Sequence, residues 1–287
     1  MRFKTFVPGH ISCVFRPVRT DDVRTTGSLG FGLRLNLGCT ATVWQSSEDG
    51  INICINGKRS EAPVTRRAIE SLNPGVGLEI RLNHDLPLEQ GFGASASGTY
   101  AAALCAAELL GKDRIEAAIV SHEAECSMGG GLGDLLAIES SSGVPIREEP
   151  GVPNLTGRTS DSGLGFDHLN LFVLPEPLRT ESVLSDEAAV ERIVRYGDEA
   201  LGMFRRDPSV IGLFQSSNYF SKMAGLESDD IGSALDSIRS KGYHAGMCML
   251  GNSIFTDAPI DVLTGLPEKG TIIPCMTYSG KISVKSF

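Results

Sequence analysis

The chain has 287 residues, and its 26 basic against 35 acidic side chains give a formal charge of −9. This balance argues against a general nucleic-acid binder, which needs a basic face to displace counterions from phosphates. Apolar residues make up 41% of the chain, and no apolar run approaches the roughly 20 residues that cross a bilayer. The N-terminus carries no signal-peptide apolar region. We therefore expect a cytoplasmic protein with neither nucleic-acid nor membrane partners.

The seven cysteines are odd in number and widely spaced, without a CxxC pair. Reduced cysteines inside apolar runs behave as small hydrophobic residues. The five histidines form neither an HExxH nor an HxxxH motif. We therefore expect packing rather than redox roles for the cysteines and no transition-metal site.

The first half of the chain predicts mixed α and β structure. Apolar alternation over residues 51–56 indicates a half-buried strand, which a polar turn at 46–50 would join to residues 41–45 as a hairpin. The helix predicted over 96–110 is alanine-rich and apolar on nearly all sides, so it should be buried. The remaining predicted elements are a helix over 59–72, a strand over 78–82, a helix over 113–127 and a helix that begins near residue 134.

A stretch rich in Gly, Pro, Ser and Thr over residues 143–168 predicts a domain boundary. We divide the chain there into domains of residues 1–160 and 161–287. The second half predicts strands at 169–174, 242–249 and 271–276 and helices at 186–203, 208–224 and 229–240. Short strands in this order indicate an α+β fold with helices covering one face of an antiparallel sheet.

The most informative segment runs from Pro87 to Gly98 and reads PLEQGFGASASG. Small residues let a backbone approach a ligand, and the helix that follows offers unpaired N–H groups with partial positive charge. The segment is therefore a candidate phosphate site, with the hydroxyls of Ser95 and Ser97 available to a phosphate or Mg²⁺. The alternative is a plain strand-to-helix turn whose small residues serve packing. The segment is neither a Walker A loop nor a dinucleotide fingerprint, because neither GxxxxGK[ST] nor GxGxxG occurs in the chain.

Two further segments bear on that choice. In residues 122–134, a helix carrying Glu123 and Glu125 ends at a glycine run, and Asp134 opens the next helix. One carboxylate near phosphates can hold Mg²⁺, and another can orient or deprotonate an attacking hydroxyl. The alternative is two solvated glutamates and a helix-capping aspartate. Residues 241–256 predict a strand, a glycine turn and a strand, which could close over nucleotide phosphates or be a simple β-turn.

Together and in this order, the three segments resemble the GHMP kinase superfamily, which includes galactokinase, homoserine kinase and mevalonate kinase. The superfamily's loop, Pro-x-x-x-Gly-Leu-Gly-Ser-Ser-Ala, is matched by residues 87–96, with Phe92 for leucine, Ala94 for the first serine and Glu89 where many members have glycine. The resemblance implies a two-domain α+β fold. Its parts are an N-terminal nucleotide domain like ribosomal protein S5 domain 2 and a C-terminal ferredoxin-like α/β sandwich.

The segments PGHIS (8–12), TGSLGFG (26–32) and MLGN (249–252) are similar to the archaeal pantoate kinases within that superfamily. This similarity implies transfer of the ATP γ-phosphate to the hydroxyl of pantoate, giving 4-phosphopantoate for coenzyme A synthesis. The implied ligands are ATP, Mg²⁺ and pantoate, and the sequence leaves a homodimer open. The alternatives are a GHMP kinase for homoserine or a mevalonate-like acceptor, and a non-catalytic nucleotide-binding sensor.

The resemblance also implies roles for single residues. Asp134, whose Gly-Val-Asp segment is one residue shorter here, would orient the acceptor hydroxyl and accept its proton. Ser95 and Glu125 would hold Mg²⁺, with Glu123 as the alternative to Glu125. The implied nucleotide-binding residues are Pro87, Gly91, Phe92, Gly93, Ala94, Ser95, Ala96 and Ser97, and the implied substrate residues are His10, Ser12, Arg19 and Ser28. We expect one of Arg16, Arg19, Arg24 and His10 to bind the substrate carboxylate, because a protein of charge −9 must supply that cation locally.

Overall fold

A computed structural model describes residues 1–176 and 187–287. Its strands are β1 (Arg2–Val18), β2 (Gly27–Gln45), β3 (Ile51–Ile55), β4 (Lys58–Arg59), β5 (Leu78–His84), β6 (Pro145–Glu149), β7 (Arg158–Asp161), β8 (Leu169–Val173), β9 (Ala245–Met247), β10 (Ser253–Thr256), β11 (Thr271–Cys275) and β12 (Val284–Ser286). The helices are α1 (Pro63–Ser71), α2 (Ala94–Leu110), α3 (Arg114–Ser127), α4 (Asp134–Glu139), α5 (Glu187–Arg206), α6 (Val210–Met223), α7 (Asp229–Ser240) and α8 (Ile260–Thr264). Within these residues, none of the helices has the length and apolar character needed to span a membrane.

The strands form two sheets. The first has the order β12-β1-β2-β5-β3-β4, with β6 paired to β2 and β7 paired to β6. The second is antiparallel, with the order β11-β8-β10-β9. The antiparallel sheet predicted for the second half is confirmed, although its strand at 242–249 is reduced to β9.

The predicted hairpin between residues 41–45 and 51–56 is wrong. The strand β5 lies between β2 and β3, antiparallel to the first and parallel to the second. Leu78 is the register partner of both Gln45 and Ile51, so residues 46–50 pass around the end of β5. The helix α1 provides the crossover that a parallel β3–β5 pair needs. Apolar alternation predicts a strand but does not choose its neighbour.

Residues 143–168, predicted to hold the domain boundary, contain β6 and β7, and both belong to the first sheet. The last strand, β12, also returns to that sheet and pairs with β1. Apart from β12 and the end of β7, the division at 160/161 separates the strands of the first sheet from those of the second. That division stays a prediction.

The helix α2 is buried on nearly every side, as its composition predicts. It packs against β1, β2, α1 and α3, and its alanines allow that close approach. A second apolar cluster joins residues of β1 and β2 to the C-terminal sheet and helices, and Phe92 belongs to it at 1% exposure. Phe92 therefore anchors the loop before α2 in the core that connects both sheets.

Candidate active site

One cleft collects the segments that the sequence singled out. Its walls come from β1, β2, the loop that precedes α2, the glycine run at 129–133 and the turn after β9. Among the predicted site residues, the cleft is lined by Ser12, Ser28, Gly91, Phe92, Gly93, Ala94, Ser95, Ala96, Glu125 and Asp134. Four others lie outside the lining. Pro87 is exposed, Ser97 bonds to Ala94 O inside α2, His10 lies behind Asp134, and Arg19 is exposed in a neighbouring cavity.

The loop before α2 is built to present backbone amides. Gly93, at the helix N-cap, has φ 59°, a left-handed conformation that glycine adopts without steric cost. The first hydrogen bond of the helix runs from the Ser97 N–H to the Gly93 carbonyl, at 2.9 Å. The amides before Ser97 therefore have no acceptor inside the helix. They and the helix dipole favour an anion in the cleft.

The C-terminal half of the chain holds this loop in place. The Asn252 amide donates to Gln90 Oε1 at 3.1 Å, and Ser253 Oγ donates to the Gln90 carbonyl at 2.7 Å. Gly91 has φ 79°, and a Cβ there would lie 2.9 Å from the Cys248 carbonyl oxygen. Glycine is thus required at 91 because the loop and the turn meet backbone to backbone.

A hydroxyl and a carboxylate meet at the start of α2. Ser95 Oγ donates to Glu125 Oε1 at 2.6 Å, and the Gly131 amide donates to Glu125 Oε2 at 3.2 Å. Glu125 is 1% exposed, and burial raises the pKa of this carboxyl to about 7. Glu123 faces away and pairs with Arg24 at 2.8 Å on the surface. The structure therefore places Glu125, not Glu123, beside the loop.

Asp134 ends a buried chain of polar groups. His10 Nδ1 lies 2.7 Å from Asp134 Oδ1, and Arg147 Nη1 lies 3.4 Å from His10 Nε2. Burial lowers the pKa of His10, which favours the neutral ring. A guanidinium can only donate, so Nε2 accepts from Arg147 and Nδ1–H donates to Asp134. This chain fixes one carboxylate oxygen of Asp134.

Asp134 is also close to the phosphate loop. A Cβ on Gly93 would lie 3.3 Å from Cγ of Asp134, so the carboxylate stands against the loop's last glycine. Its side chain is 22% exposed, whereas that of His10 is fully buried. The buried chain therefore positions one accessible carboxylate beside the loop amides that favour an anion.

Arg147 is a buried residue near the cleft that the sequence did not predict. It is fully buried in β6, and its Nε has no hydrogen-bond partner among the described residues. A Cβ at Gly133 would lie 2.8 Å from that Nε and would overlap Ser28 Oγ, which places the guanidinium behind the cleft wall. Burial lowers the pKa of Arg147 to about 10, so it stays charged at neutral pH. The only sequence signal is a basic residue at an apolar position of a short strand.

The arginines expected to bind a carboxylate lie elsewhere. Arg16 pairs with Asp198 at 2.9 Å, and Arg24 pairs with Glu123. Arg19 lines a separate cavity that shares Gly130 and Leu132 with the cleft. Two of the three arginines are therefore paired with carboxylates, His10 is hydrogen-bonded to Asp134, and Arg19 lies at the rim.

A further cavity adjoins the loop that precedes α2. It shares Glu89, Ala94 and Ser95 with the cleft. The rest of its wall is largely apolar and includes Ile55, Pro63, Val64, Leu82, His84 and Leu88. An apolar cavity continuous with an anion site has the layout of a nucleotide site, with the base in the first and the phosphates in the second.

The chain is similar to known kinases in sequence and fold. Residues 63–142 match the family model described as the GHMP kinases N terminal domain. A pantoate kinase of Thermococcus kodakarensis is 33% identical over 270 residues, covering 89% of this chain and 87% of that protein. A pantoate kinase of Methanocaldococcus jannaschii is 26% identical, covering 87% of this chain and 90% of that protein. A solved structure of a phosphotransferase related to the CoA biosynthesis pathway superposes with a TM-score of 0.88 at 26% identity, covering 99% of each chain.

The fold, the amide-lined loop and the carboxylate beside it define a phosphotransferase site. The chain belongs to the GHMP kinases, and within them to the pantoate kinase family. The predicted two-domain α+β GHMP fold is thereby confirmed. Kinases of this class use ATP.

Proposed function

We propose that the protein transfers the γ-phosphate of ATP to the hydroxyl of pantoate, giving 4-phosphopantoate for coenzyme A synthesis. The observation that carries this proposal is the position of Asp134, held by His10 and set against the last glycine of the phosphate loop. The pantoate kinases that match nearly the whole chain support the choice of acceptor. The position of Asp134 supports an enzyme rather than a sensor that binds nucleotide without catalysis.

The nucleotide spans the two adjoining cavities. Its base lies in the apolar cavity between α1 and β5, and its phosphates lie against the amides at the start of α2. The helix dipole and these N–H groups stabilise negative charge without any rearrangement at the moment of transfer. Most of the rate enhancement in phosphoryl transfer comes from such positioning and charge stabilisation.

Asp134 acts on the acceptor hydroxyl. Its Oδ1 accepts from His10, so Oδ2 is left to accept the hydroxyl proton and orient the oxygen toward the γ-phosphorus. The neutral His10 accepts a hydrogen bond from Arg147 and donates one to Asp134, so it links the two side chains without adding a charge of its own. The buried chain thus keeps one carboxylate geometry, which matters because small misplacements of a reacting group slow the reaction strongly.

Ser95 and Glu125 form a donor set that suits Mg²⁺. They offer a hydroxyl and a carboxylate 2.6 Å apart, and Mg²⁺ is commonly held by one or two carboxylates together with substrate phosphates and water. Among residues 1–176 and 187–287, no group of three or more His, Cys, Asp and Glu side chains could hold a metal by itself. Phosphate oxygens and water would therefore complete the shell. When bound, the ion neutralises charge on the phosphates.

The acceptor lies between Asp134 and the wall formed by Ser12 and Ser28. Its carboxylate is held on the side of Ser28, where Arg147 supplies positive charge from behind the wall. Arg19 at the rim attracts the anion toward the cleft, because an exposed cation acts mainly on encounter. His10 then positions Asp134 rather than touching the substrate.

The test is ADP release by the full chain with ATP, Mg²⁺ and single acceptors: pantoate, pantothenate, mevalonate and homoserine. Release with pantoate alone is the expected result. Activity with only another acceptor would retain the GHMP kinase and overturn the choice of pantoate. Binding of ATP without release in any of the mixtures would overturn the enzyme and favour the sensor.

A further inference from the structure

Leu250 has a backbone conformation that a leucine rarely adopts. Its φ is 60°, in the left-handed region where a Cβ crowds the following carbonyl and glycine is the usual residue. Leu250 is only partly buried and lines the cleft. Strained backbone of this kind persists where the surrounding structure fixes it, and it occurs frequently at functional sites.

The surrounding turn is fixed from two sides. The Met249 amide donates to the Ser12 carbonyl at 3.3 Å, and the Gly251 amide donates to the Cys248 carbonyl at 3.1 Å. A Cβ on Gly251 would overlap the Gln90 carbonyl, so the turn packs directly against the phosphate loop, and the hydrogen bonds of Asn252 and Ser253 to Gln90 hold it there. The backbone alone would be satisfied, without strain, by glycine at 250. The reason for leucine therefore lies in its side chain.

That side chain gives the cleft an apolar wall. Phe15 and Met249 also line the cleft, but they are only 6% and 3% exposed. Leu250 and Leu132 are the leucines of the lining that are only partly buried, so both have surface free to meet a ligand. Of the two, Leu250 is the one held at a positive φ. The same lining also contains polar residues, Ser12, Ser28 and Asp134.

From these features we infer that Leu250 determines specificity by packing against a branched aliphatic carbon next to the carbon that bears the reacting hydroxyl. In pantoate this carbon carries two methyl groups. The inference rests on the proposed function, since it takes the acceptor hydroxyl to be at Asp134. It adds that the methyl groups, and not only the hydroxyl and carboxylate, are recognised.

The test compares two acceptors that differ only in these methyl groups, pantoate and 2,4-dihydroxybutanoate. In the Leu250→Gly variant we expect kcat/KM for pantoate to fall roughly tenfold, the size of effect that one lost apolar contact gives in a pocket. We expect kcat/KM for the unbranched acceptor to change less than about twofold. Because glycine relieves the strained φ, the thermal midpoint should equal or exceed that of the wild type.

Two further variants separate the effect of the Leu250 side chain from that of the backbone. Asn73→Gly makes the same backbone change at an exposed left-handed residue outside the cleft, and it should alter neither acceptor. Leu250→Asn keeps a residue that tolerates positive φ but removes the apolar surface, so it should repeat the selective loss.

The outcomes test the role of Leu250 and the proposed function separately. A selective loss for pantoate supports the inference. An equal loss for both acceptors, or no loss for either, overturns it, because Leu250 would then act through the turn or not at all. A wild type that uses both acceptors equally well also overturns it but leaves the proposed function standing. A wild type that phosphorylates neither overturns the proposed function itself.

Discussion

The two sides of the cleft are built by different means. On the phosphate side, residues 91–96 offer backbone amides and a helix dipole, shaped by glycines at 91 and 93. On the acceptor side, the working groups are side chains brought together from distant parts of the chain. His10 and Asp134 are separated by 124 positions, and His10 and Arg147 by 137.

In the proposed function, nucleotide binding thus depends on backbone groups, and phosphate transfer depends on side chains. A backbone site depends on conformation and tolerates changes of side chain, whereas a side-chain network fails when one member is removed. Variants on the acceptor side should therefore slow turnover or weaken acceptor binding and leave nucleotide affinity nearly intact. Variants on the phosphate side should do the reverse.

The largest effect is expected from Asp134→Asn. The amide cannot accept the hydroxyl proton, so we expect kcat to fall roughly a thousandfold. The dissociation constant for ATP, measured by calorimetry, should stay within about twofold. Glu123→Gln is the matched control, since Glu123 faces Arg24 on the surface. A comparable loss in the control, or weak ATP binding by Asp134→Asn, would remove the distinction between the two sides.

On the phosphate side, Gly91→Ala should mainly weaken nucleotide use. The new Cβ would lie 2.9 Å from the Cys248 carbonyl oxygen at a φ of 79°, so the loop must shift. We expect kcat/KM for ATP to fall roughly a hundredfold, as for a displaced reacting group. Steady-state kinetics with varied ATP measure this. Unchanged kinetics would show that the loop geometry is not needed.

The third variant tests which cation serves the acceptor. Arg147→Gln should raise KM for pantoate roughly tenfold, because a buried acceptor loses its donor and the anion loses its nearest buried positive charge. Arg19→Gln should raise it about threefold or less, as exposed cations contribute little and are screened. Varying pantoate at two salt concentrations separates them. The reverse order of effects would assign the carboxylate to Arg19.

The smallest effect concerns stability against pH. Burial lowers the pKa of His10. Between the folded and unfolded pKa values, the unfolded chain therefore binds a proton at His10 that the folded chain does not bind. Its contribution is therefore present above the unfolded pKa of about 6.5 and is lost as the pH falls through the lower folded pKa. Chemical unfolding between pH 5 and about 7.5 should show this loss in the wild type and a smaller one in His10→Gln. Equal slopes would contradict a neutral buried His10.

The sequence predicted the local structure around the phosphate loop because that information is local. A strand, a run of small residues and an apolar helix follow one another within residues 78–110, and the structure keeps that order. Ser95, Glu125 and Asp134 could likewise be singled out, since each stands next to a glycine-rich turn. Their distances to one another, and the choice of Glu125 over Glu123, needed the fold.

The acceptor side was only partly predictable because its partners come from distant strands. Arg147 lies in a stretch expected to link two domains, and its signal is weaker than that of the arginines near the N-terminus. Those arginines form surface ion pairs or stay exposed, which no spacing reveals. The misplaced hairpin has the same cause, because the insertion of β5 between β2 and β3 is a long-range pairing.

In the proposed reaction, this cleft phosphorylates the primary hydroxyl of pantoate. Proton-coupled phosphorus NMR of the product formed from ATP, Mg²⁺ and pantoate tests it directly. A phosphate on the primary hydroxyl couples to two methylene protons, so we expect a new monoester resonance split into a triplet. A doublet would place the phosphate on the secondary hydroxyl, and release of inorganic phosphate alone would mean transfer to water. Either result would contradict the proposed reaction.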